Sequence, residues 1–257
     1  MTPPHENHDL TGRTALITGA GRGLGRAIAL AAAGAGARLA LVARSKADLM
    51  DTASLAEASG AAVLPLAIDI SKPDNIHYCM QSIIRRFGDL DILVNNAAVL
   101  GPLDYLTDAH LRDWHAVMDT NLTSPFLFAQ LAARRMIMLR RGWILNLVSE
   151  WAVTPRPRFG LYSIGKAGLT QMTRILAVEL APFDILVNGL DPGLMDTDLR
   201  REATLALESS ADSTEAAACL QEPAEIAAAA LYLISSEVCC TGEIGSAAYF
   251  IDKRDRS

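Results

Sequence analysis

The chain has 257 residues, of which 51% are hydrophobic and 5% aromatic, and its formal net charge at pH 7 is −6. That length suits one large domain, or two small ones, with a substantial buried core. The acidic balance argues against nucleic acid or an anionic membrane surface as the main partner, and no apolar run is as long as a membrane span.

The N-terminal residues 1–9 include two prolines and lack the apolar core of a signal peptide, so they predict a flexible tail. The four cysteines show no metal-ligand or redox spacing. We therefore expect reduced thiols, no metal site and a cytoplasmic protein. The cysteines are Cys79, Cys219, Cys239 and Cys240.

The first apolar run of the chain, the glycine cluster after it and the alanine-rich run that follows predict a dinucleotide-binding unit. Residues 14–18 are apolar and partly β-branched, as in a buried strand, and residues 26–33 have high helix propensity. Between them Gly19, Gly23 and Gly25 allow a sharp turn and close approach to a pyrophosphate. The helix would aim its free N–H groups at the phosphates. Glycines also make ordinary turns, but the flanking strand and helix favour the dinucleotide site.

Strands and helices are predicted to alternate along the rest of the chain without a linker or repeat. This alternation indicates one α/β domain over residues 10–257, a doubly wound parallel sheet (Rossmann fold) with helices on both faces. Such sheets bind ligands at the carboxyl ends of their strands. The further strands are predicted over residues 38–42, 63–68, 92–94, 143–148 and 185–187, and the helices over 45–59 with Ser45 as N-cap, 72–87, 108–139, 161–180 and 224–235.

Two arginines predict which dinucleotide is bound. Arg44 follows the second strand, where an acidic residue would bind the ribose hydroxyls of NAD and an arginine accommodates the 2′-phosphate of NADP. Ala43 occupies the expected place of that acid, and Arg22 adds a second cation in the glycine turn. We expect NADP(H) to be preferred over NAD(H); the alternative is that both arginines are solvated surface residues.

The ends of the third and fourth strands supply further candidates for cofactor contact. Asp69 and Ile70 could contact the adenine, although Asp69 could instead cap the turn into the next helix. Small residues such as Ala97 let the backbone lie under a bound cofactor. Asn95 and Asn96 could contact the cofactor or tie adjacent strand ends together.

Ser149, Tyr162 and Lys166 predict an acid–base centre. Tyr162 and Lys166 are four residues apart and so lie on one helical face, and Ser149 ends a strand thirteen residues before the tyrosine. A free phenol, with a pKa of about 10, is a poor base at neutral pH, and a neighbouring ammonium favours the phenolate. The Ser149 hydroxyl can polarise a carbonyl while Tyr162 passes the proton.

On these residues the chain resembles the short-chain dehydrogenase/reductase family over about residues 10–245. The resemblance implies hydride transfer between the B face of nicotinamide C4 and a carbonyl or alcohol carbon, without a metal. It also implies that Asn121 holds a proton-relay water near the lysine. The family's cofactor turn is matched by Gly19, Gly21, Arg22, Gly23, Leu24 and Gly25, its Asn-Asn-Ala-Gly segment by residues 95–98, and the segment that holds the nicotinamide end by Pro192, Gly193 and Thr197.

Three positions depart from the family's pattern. Ala98 replaces a glycine and adds a methyl group near the cofactor. Asp184 stands where a helix-ending glycine is common, although Asp tolerates the left-handed conformation better than most residues. Residues 243–257 lack the usual hydrophobic strand, a segment that relatives often use in subunit contacts and to close the substrate cleft.

Residues 150–160 and an insert at about 194–221, a substrate lid, are expected to build the substrate pocket. Arg156 and Arg158 could receive an anionic group or be solvated loop charges, and Glu150 could point away from the pocket. Four other arginines could dock an acidic acyl-carrier protein or form a solvated helix flank. The apolar wall would comprise Trp151, Phe159, Leu194, Met195 and Leu199, and the four arginines are Arg134, Arg135, Arg140 and Arg141.

These features favour NADP(H)-dependent hydride transfer to or from a carbonyl or secondary alcohol, with Tyr162 as proton donor or acceptor. Among enzymes the alternative is an NAD-dependent sugar or polyol dehydrogenase; outside them it is a non-catalytic nucleotide-sensing protein with the same fold.

The predicted helix over residues 108–139 carries apolar residues on more faces than one sheet can cover, which predicts a homotetramer or homodimer.

Overall fold

A parallel β-sheet forms the centre of the computed structural model, which describes residues 8–193 and 221–255. Its strand order is β3-β2-β1-β4-β5-β6-β7, and each neighbouring pair is parallel. The order reverses between β1 and β4, so the ends of these two strands form the switch point of the sheet. The strands are β1 (Thr14–Thr18), β2 (Arg38–Ala43), β3 (Val63–Ala67), β4 (Ile92–Asn95), β5 (Gly142–Leu147), β6 (Ile185–Asp191) and β7 (Ile244–Ser246).

Helices cover both faces of the sheet, which confirms the predicted doubly wound architecture. One buried cluster joins the sheet to α1, α2, α7 and α8, and a second joins its other face to α3, α5 and α6. The helices are α1 (Gly23–Gly34), α2 (Lys46–Ala58), α3 (Pro73–Phe87), α4 (Leu111–Met118), α5 (Ser124–Leu139), α6 (Gly160–Leu180), α7 (Pro223–Leu233) and α8 (Ala247–Arg254).

Local signals predicted several helix boundaries well. The Ser45 hydroxyl accepts a hydrogen bond from the Asp48 backbone N–H at 3.3 Å, which confirms it as the N-cap of α2. Asp184 ends a turn in the left-handed conformation at φ 59°, and its carboxylate accepts hydrogen bonds from the Arg140 guanidinium. An aspartate therefore serves where a glycine would be more usual, because its side chain has a partner there.

The predicted continuous helix over residues 108–139 is wrong in detail. Helix α4 begins at Leu111, and a π turn (Asp119–Thr123) separates it from α5. Within that turn the buried Asn121 side chain accepts from the Val99 backbone N–H at 2.9 Å and donates to the Val99 carbonyl at 2.8 Å. A buried amide that satisfies both backbone groups of one residue stabilises the widened turn against a regular helix.

The C-terminal segment also differs from the expectation of no strand there. Ile244–Ser246 forms a short strand in parallel pairing with β6, and Ser246 then caps α8 by accepting from the Tyr249 N–H at 3.2 Å. Helix α8 places Phe250 in the core with no exposed surface. The strand forms because its backbone completes the ladder of β6, and the helix supplies the apolar anchor.

Three expectations lie outside the described residues: most of the N-terminal tail, the lid apart from Gln221, and Thr197. No helix in the described part of the chain is long and apolar enough to cross a membrane. The described strands from Thr14 to Ser246 form one sheet.

A buried polar bridge next to the site gives a test of the packing. The Asn146 amide donates to the Thr173 hydroxyl at 2.9 Å and accepts from Asn95 at 2.9 Å, whereas the buried Thr170 hydroxyl has no hydrogen-bond partner in the described chain. We expect Thr173→Val to lower the free energy of unfolding by about 1–3 kcal/mol, because it leaves a buried amide unsatisfied. Thr170→Val, with the same change of atoms on the same helix, should leave stability unchanged or higher. Equal losses in urea denaturation would contradict the bridge.

Candidate active site

A single cleft of about 900 Å³ runs along the carboxyl ends of β1 to β6. It brings together most of the residues that the sequence predicted to bind cofactor, including both arginines and the Tyr–Lys pair. The predicted residues that line it are Gly19, Gly21, Arg22, Gly23, Leu24, Gly25, Arg44, Asp69, Ile70, Ala97, Tyr162, Lys166 and Pro192. Gly193 follows the last of these and accepts the αL conformation at φ 63°.

The glycine turn is built for close packing at the switch point. Gly19 has φ 68°, and a Cβ on Gly25 would lie 2.2 Å from the Gly19 carbonyl oxygen, so no other residue fits there. Asn96 fixes the turn from β4, since its amide donates to the Thr18 carbonyl at 2.8 Å. Helix α1 begins at Gly23 without a side-chain cap. Its first residues, Gly23 to Gly25, line the cleft, and the free N–H groups of a helix start suit a pyrophosphate.

The far end of the cleft, beyond β2, carries both cationic and acidic side chains, Asp69 among the acids. Arg44 and Arg22 are both exposed and line it together with Ser45. Asp48 lines it as well, and sequence reasoning missed this residue. The signal was available, because Asp48 lies in the first turn of the helix that follows β2.

Arg26 fastens this end of the cleft to α2 and was also missed. Its guanidinium donates to the Gly21 carbonyl at 3.1 Å, to the Thr52 hydroxyl at 2.8 Å and to the Asp48 carbonyl at 3.1 Å. These bonds hold the glycine turn and the first turn of α2 in one position. Arg26 therefore acts on the shape of the site and is not among its lining residues.

Two candidates from the ends of β3 and β4 have structural partners. Asn95 is buried and donates to the Asn146 side chain; it does not line the cleft, so the geometry shows the strand-bracing role rather than cofactor contact. Asp69 lines the cleft and also accepts from the Ser71 N–H at 3.0 Å. Burial raises the pKa of Asp69, but hydrogen bonds from Ser71 together with the positive charges of Lys72 and Arg44 outweigh it, and the pKa is lowered overall.

At the other end of the cleft, α6 places Tyr162 and Lys166 side by side. Both are buried, with the Lys166 Nζ 5.7 Å from the centroid of the Tyr162 ring. The Lys166 ammonium donates to the Leu147 carbonyl at 2.6 Å. Ser149 hydrogen-bonds Tyr162, and its hydroxyl accepts from the Trp151 N–H at 3.2 Å. The predicted Ser–Tyr–Lys set is thus assembled at one point.

Burial controls the protonation of this pair. It raises the pKa of Tyr162 well above the usual value, and the Ser149 hydrogen bond only partly opposes this. It also lowers the pKa of Lys166 to about 8. The sequence led us to expect the ammonium to favour the phenolate, but in this site desolvation is the larger effect. Tyr162 therefore holds its proton at neutral pH, ready to act as an acid.

Asn121 does not line the cleft. Its side chain bonds the Val99 backbone through both its oxygen and its nitrogen. Helix α6 packs directly on the π turn, since a Cβ on Gly165 would be 3.3 Å from the Asn121 Cβ. The side chain thus holds the π turn in shape against the helix that carries Tyr162 and Lys166.

The substrate side has an aromatic wall. Trp151 packs on Phe159 with ring centroids 4.6 Å apart and on Tyr162 at 5.9 Å. Arg156 lies over the Trp151 ring at 5.4 Å, and the Arg158 guanidinium donates to the Leu103 carbonyl at 2.8 Å. Both arginines therefore stabilise the loop. The Glu150 side chain is exposed. Leu194, Met195 and Leu199 lie outside the described residues.

The other arginines are mostly committed to ion pairs. Arg135 pairs with Asp89, Arg140 with Asp184 at 2.8 Å, and Arg141 with the buried Asp91 at 2.5 Å, while Arg134 is exposed. This pairing weakens the case for a basic docking face. Within residues 8–193 and 221–255, no group of three His, Cys, Asp or Glu residues could hold a metal ion.

The fold and the site together define the class of protein: a Rossmann-type oxidoreductase that uses a nicotinamide dinucleotide. Residues 13–208 match the family described as short chain dehydrogenase. The chain belongs to that family.

Similar proteins are named for different substrates. Glucose 1-dehydrogenase 2 of Bacillus subtilis (strain 168) is 31% identical over 250 residues, 95% of each chain. The NAD-dependent glycerol dehydrogenase of Listeria innocua serovar 6a is 32% identical over 231 residues, 90% of this chain and 89% of its own. The crystal structure of levodione reductase superposes with a TM-score of 0.86 at 26% identity, over 92% of this chain and 96% of its own.

Replacing the phenol tests the assignment of the proton donor. We expect Tyr162→Phe to lower kcat for carbonyl reduction by about 10²–10⁴-fold, since only the transferable proton is lost. Affinity for the reduced dinucleotide, measured by its fluorescence, should change less than about twofold. Tyr78→Phe removes a hydroxyl from an exposed side chain of α3 and serves as control. Turnover of the Tyr162→Phe protein within a few-fold of the unmodified protein would reject the assignment.

Proposed function

We propose that the protein is an NADP(H)-dependent oxidoreductase that transfers hydride between the nicotinamide and a carbonyl or secondary alcohol. The observation that carries this proposal is the continuity of one cleft from Arg44 and Arg22 to Tyr162 and Lys166. A non-catalytic nucleotide sensor would need the glycine turn and the arginines, but it would have no use for a buried acid hydrogen-bonded to a serine.

The protein's own residues would divide the work as follows. The first turn of α1 and the glycine turn would hold the pyrophosphate, and Arg44 with Arg22 the 2′-phosphate. The cofactor supplies or accepts the hydride. Ser149 would hold the substrate oxygen, and Tyr162 would give that oxygen its proton during reduction or remove it during oxidation. Lys166 would keep a positive charge beside the phenol as its proton leaves.

The substrate proposed is an uncharged carbonyl or alcohol with an apolar part. Trp151 and Phe159 form an aromatic surface beside Tyr162. Arg156 already packs over the Trp151 ring and Arg158 bonds the Leu103 carbonyl, so an anionic group on the substrate has less support. Screening NADPH oxidation against ketones, quinones, keto-sugars and 3-oxoacyl esters tests the class. Exclusive activity on keto-sugars or polyols would favour the second candidate below.

A preference for NADPH follows from the charges beyond β2. One arginine–phosphate hydrogen bond is worth about 1.5–3 kcal/mol, or roughly one to two decades of affinity, and exposure reduces this toward the low end. We expect Arg44→Gln to lower kcat/KM for NADPH by about tenfold and to leave that for NADH nearly unchanged. Lys46→Gln, two residues on and outside the cleft lining, should change neither. A lead for NADH in the unmodified protein would mean that Arg44 does not meet the cofactor.

An NAD-dependent sugar or polyol dehydrogenase is the second candidate, and one observation favours it. Asp48 lines the same end of the cleft as Arg44, and a carboxylate there would repel a 2′-phosphate. The glycerol dehydrogenase among the similar proteins is NAD-dependent. Asp48→Asn separates the NADP(H)-dependent from the NAD-dependent candidate. Loss of the carboxylate should raise kcat/KM for NADPH in both, but a variant that still prefers NADH fits the NAD-dependent dehydrogenase.

We also propose a cytoplasmic homodimer or homotetramer. Apolar side chains on α5 and α6 are exposed, among them Met138 at 75% and Val178 at 77%. Together with Phe126 and Ile175 they give these two helices an apolar surface that a second copy of the chain could cover.

The oligomer has its own test by light scattering. We expect a mass of two or four times 27.5 kDa at micromolar concentration. Val178→Asp should shift the protein toward the monomer, because a charge would be buried in the contact. Met50→Asp, on an exposed position of α2, should not. A stable monomer of the unmodified protein would overturn the proposal.

A further inference from the structure

Asp191 lies beside the reaction end of the cleft, and no role described above uses it. It is the last residue of β6 and directly precedes Pro192, which lines the cleft. Leu147, whose carbonyl holds the Lys166 ammonium, pairs in register with Leu190. Adjacent strands lie about 4.8 Å apart with a rise of about 3.3 Å per residue, so the Cα atoms of Leu147 and Asp191 are roughly 6 Å apart.

The Asp191 side chain is on the same face of the sheet as α6. Val187 of β6 packs in the buried cluster that holds Ala177 and Leu180 of that helix, and Leu190 packs in the opposite cluster. Because strand side chains alternate, Asp191 shares the face of Val187. Its carboxylate is fixed there, since Oδ1 accepts from the Gly193 N–H at 2.9 Å.

The field of this carboxylate reaches both members of the catalytic pair. It raises the pKa of Lys166 against the larger, opposite effect of burial, and it adds to the effect of burial in raising the pKa of Tyr162. Lys166 has no carboxylate within ion-pair distance among the described residues, so Asp191 acts through space.

Other charged groups lie on the elements packed against α6, but none of them contributes to either pKa shift. Glu150 is exposed on the short helix after Ser149, and Asp119 lies on the π turn. Helix α4 carries Asp113 and His115. Among the described residues, Asp191 is the charged group that shifts the pKa values of both Tyr162 and Lys166.

We propose that Asp191 is a positioning residue for the reaction: its carboxylate is the counter-charge of the buried Lys166 ammonium and, through the same field, holds the proton on Tyr162. This inference rests on the proposed function, and it adds a direction to it. Because Tyr162 is protonated in the free enzyme, carbonyl reduction proceeds at neutral pH, whereas alcohol oxidation requires a more alkaline solution.

The test removes the charge and keeps the turn. In Asp191→Asn the amide oxygen can still accept from the Gly193 N–H. With the negative charge gone, the ammonium is less favoured and the phenolate less disfavoured, so both pKa values fall. We expect the alkaline limb of kcat/KM for carbonyl reduction to move to lower pH by about one unit. Glu150→Gln is the control: it also removes one negative charge, at the residue after Ser149, and the alkaline limb of its kcat/KM profile should not move.

A second measurement needs neither cofactor nor substrate. The chain has four lysines, Lys46, Lys72, Lys166 and Lys253, so the titration of Lys166 can be followed by NMR of labelled lysine side chains and assigned with Lys166→Met. The pKa of Lys166, about 8 in the unmodified protein, should fall by about one unit in Asp191→Asn and be restored by Asp191→Glu.

The outcomes separate this inference from the proposed function. A Lys166 titration that is unchanged in Asp191→Asn, or in Asp191→Ser if the amide variant does not fold, overturns the inference whatever the activity. Lower activity with an unmoved pH profile also overturns it, since that would be the loss of a turn contact alone. A shifted lysine in a protein that reduces no carbonyl with NADPH would sustain the field of Asp191 and reject the proposed function.

Discussion

The close approach of helix α1 to the end of β1 is the constraint on which the rest of the site depends. A Cβ on Gly25 would lie 2.2 Å from the Gly19 oxygen, so the helix starts directly at the switch point of the sheet. Asn96 holds the same turn from β4, and Arg26 ties it to α2. The ends of β1 and β4 and the first turn of α2 are thereby fixed around one helix N-terminus, whose free backbone N–H groups would bind a phosphate.

The reaction end is governed by a different balance, between desolvation and charge. Tyr162 and Lys166 are buried, and burial disfavours the phenolate and the ammonium alike. The pKa of Tyr162 is therefore raised and that of Lys166 lowered, so the phenol keeps a proton that it would donate to a carbonyl oxygen. The Ser149 hydroxyl lowers the pKa of Tyr162 and the Asp191 carboxylate raises it. The pH response of the site therefore depends on residues at the ends of β5 and β6 as well as on the helix that carries Tyr162 and Lys166.

The sequence predicted what short-range patterns determine. The strand, glycine turn and helix of residues 14–33 and the Tyr162–Lys166 spacing are local, and the structure places them together in the cleft. The π turn at Asn121 depends on the Val99 backbone, 22 residues away in the chain, and the role of Asn95 depends on Asn146, 51 away. The Asp191 side chain reaches the site only through strand register and packing, which a single sequence does not display.

We propose that one cleft binds the dinucleotide at the end that carries Arg44 and Arg22 and performs the chemistry at its buried end. A crystal structure of the protein with bound NADP⁺ tests this most directly. The account predicts the 2′-phosphate within hydrogen-bond distance of the Arg44 guanidinium, the pyrophosphate on the first turn of α1, and nicotinamide C4 beside the Tyr162 hydroxyl. A nucleotide bound in the reverse direction, or with its nicotinamide away from Tyr162 and Lys166, would contradict it.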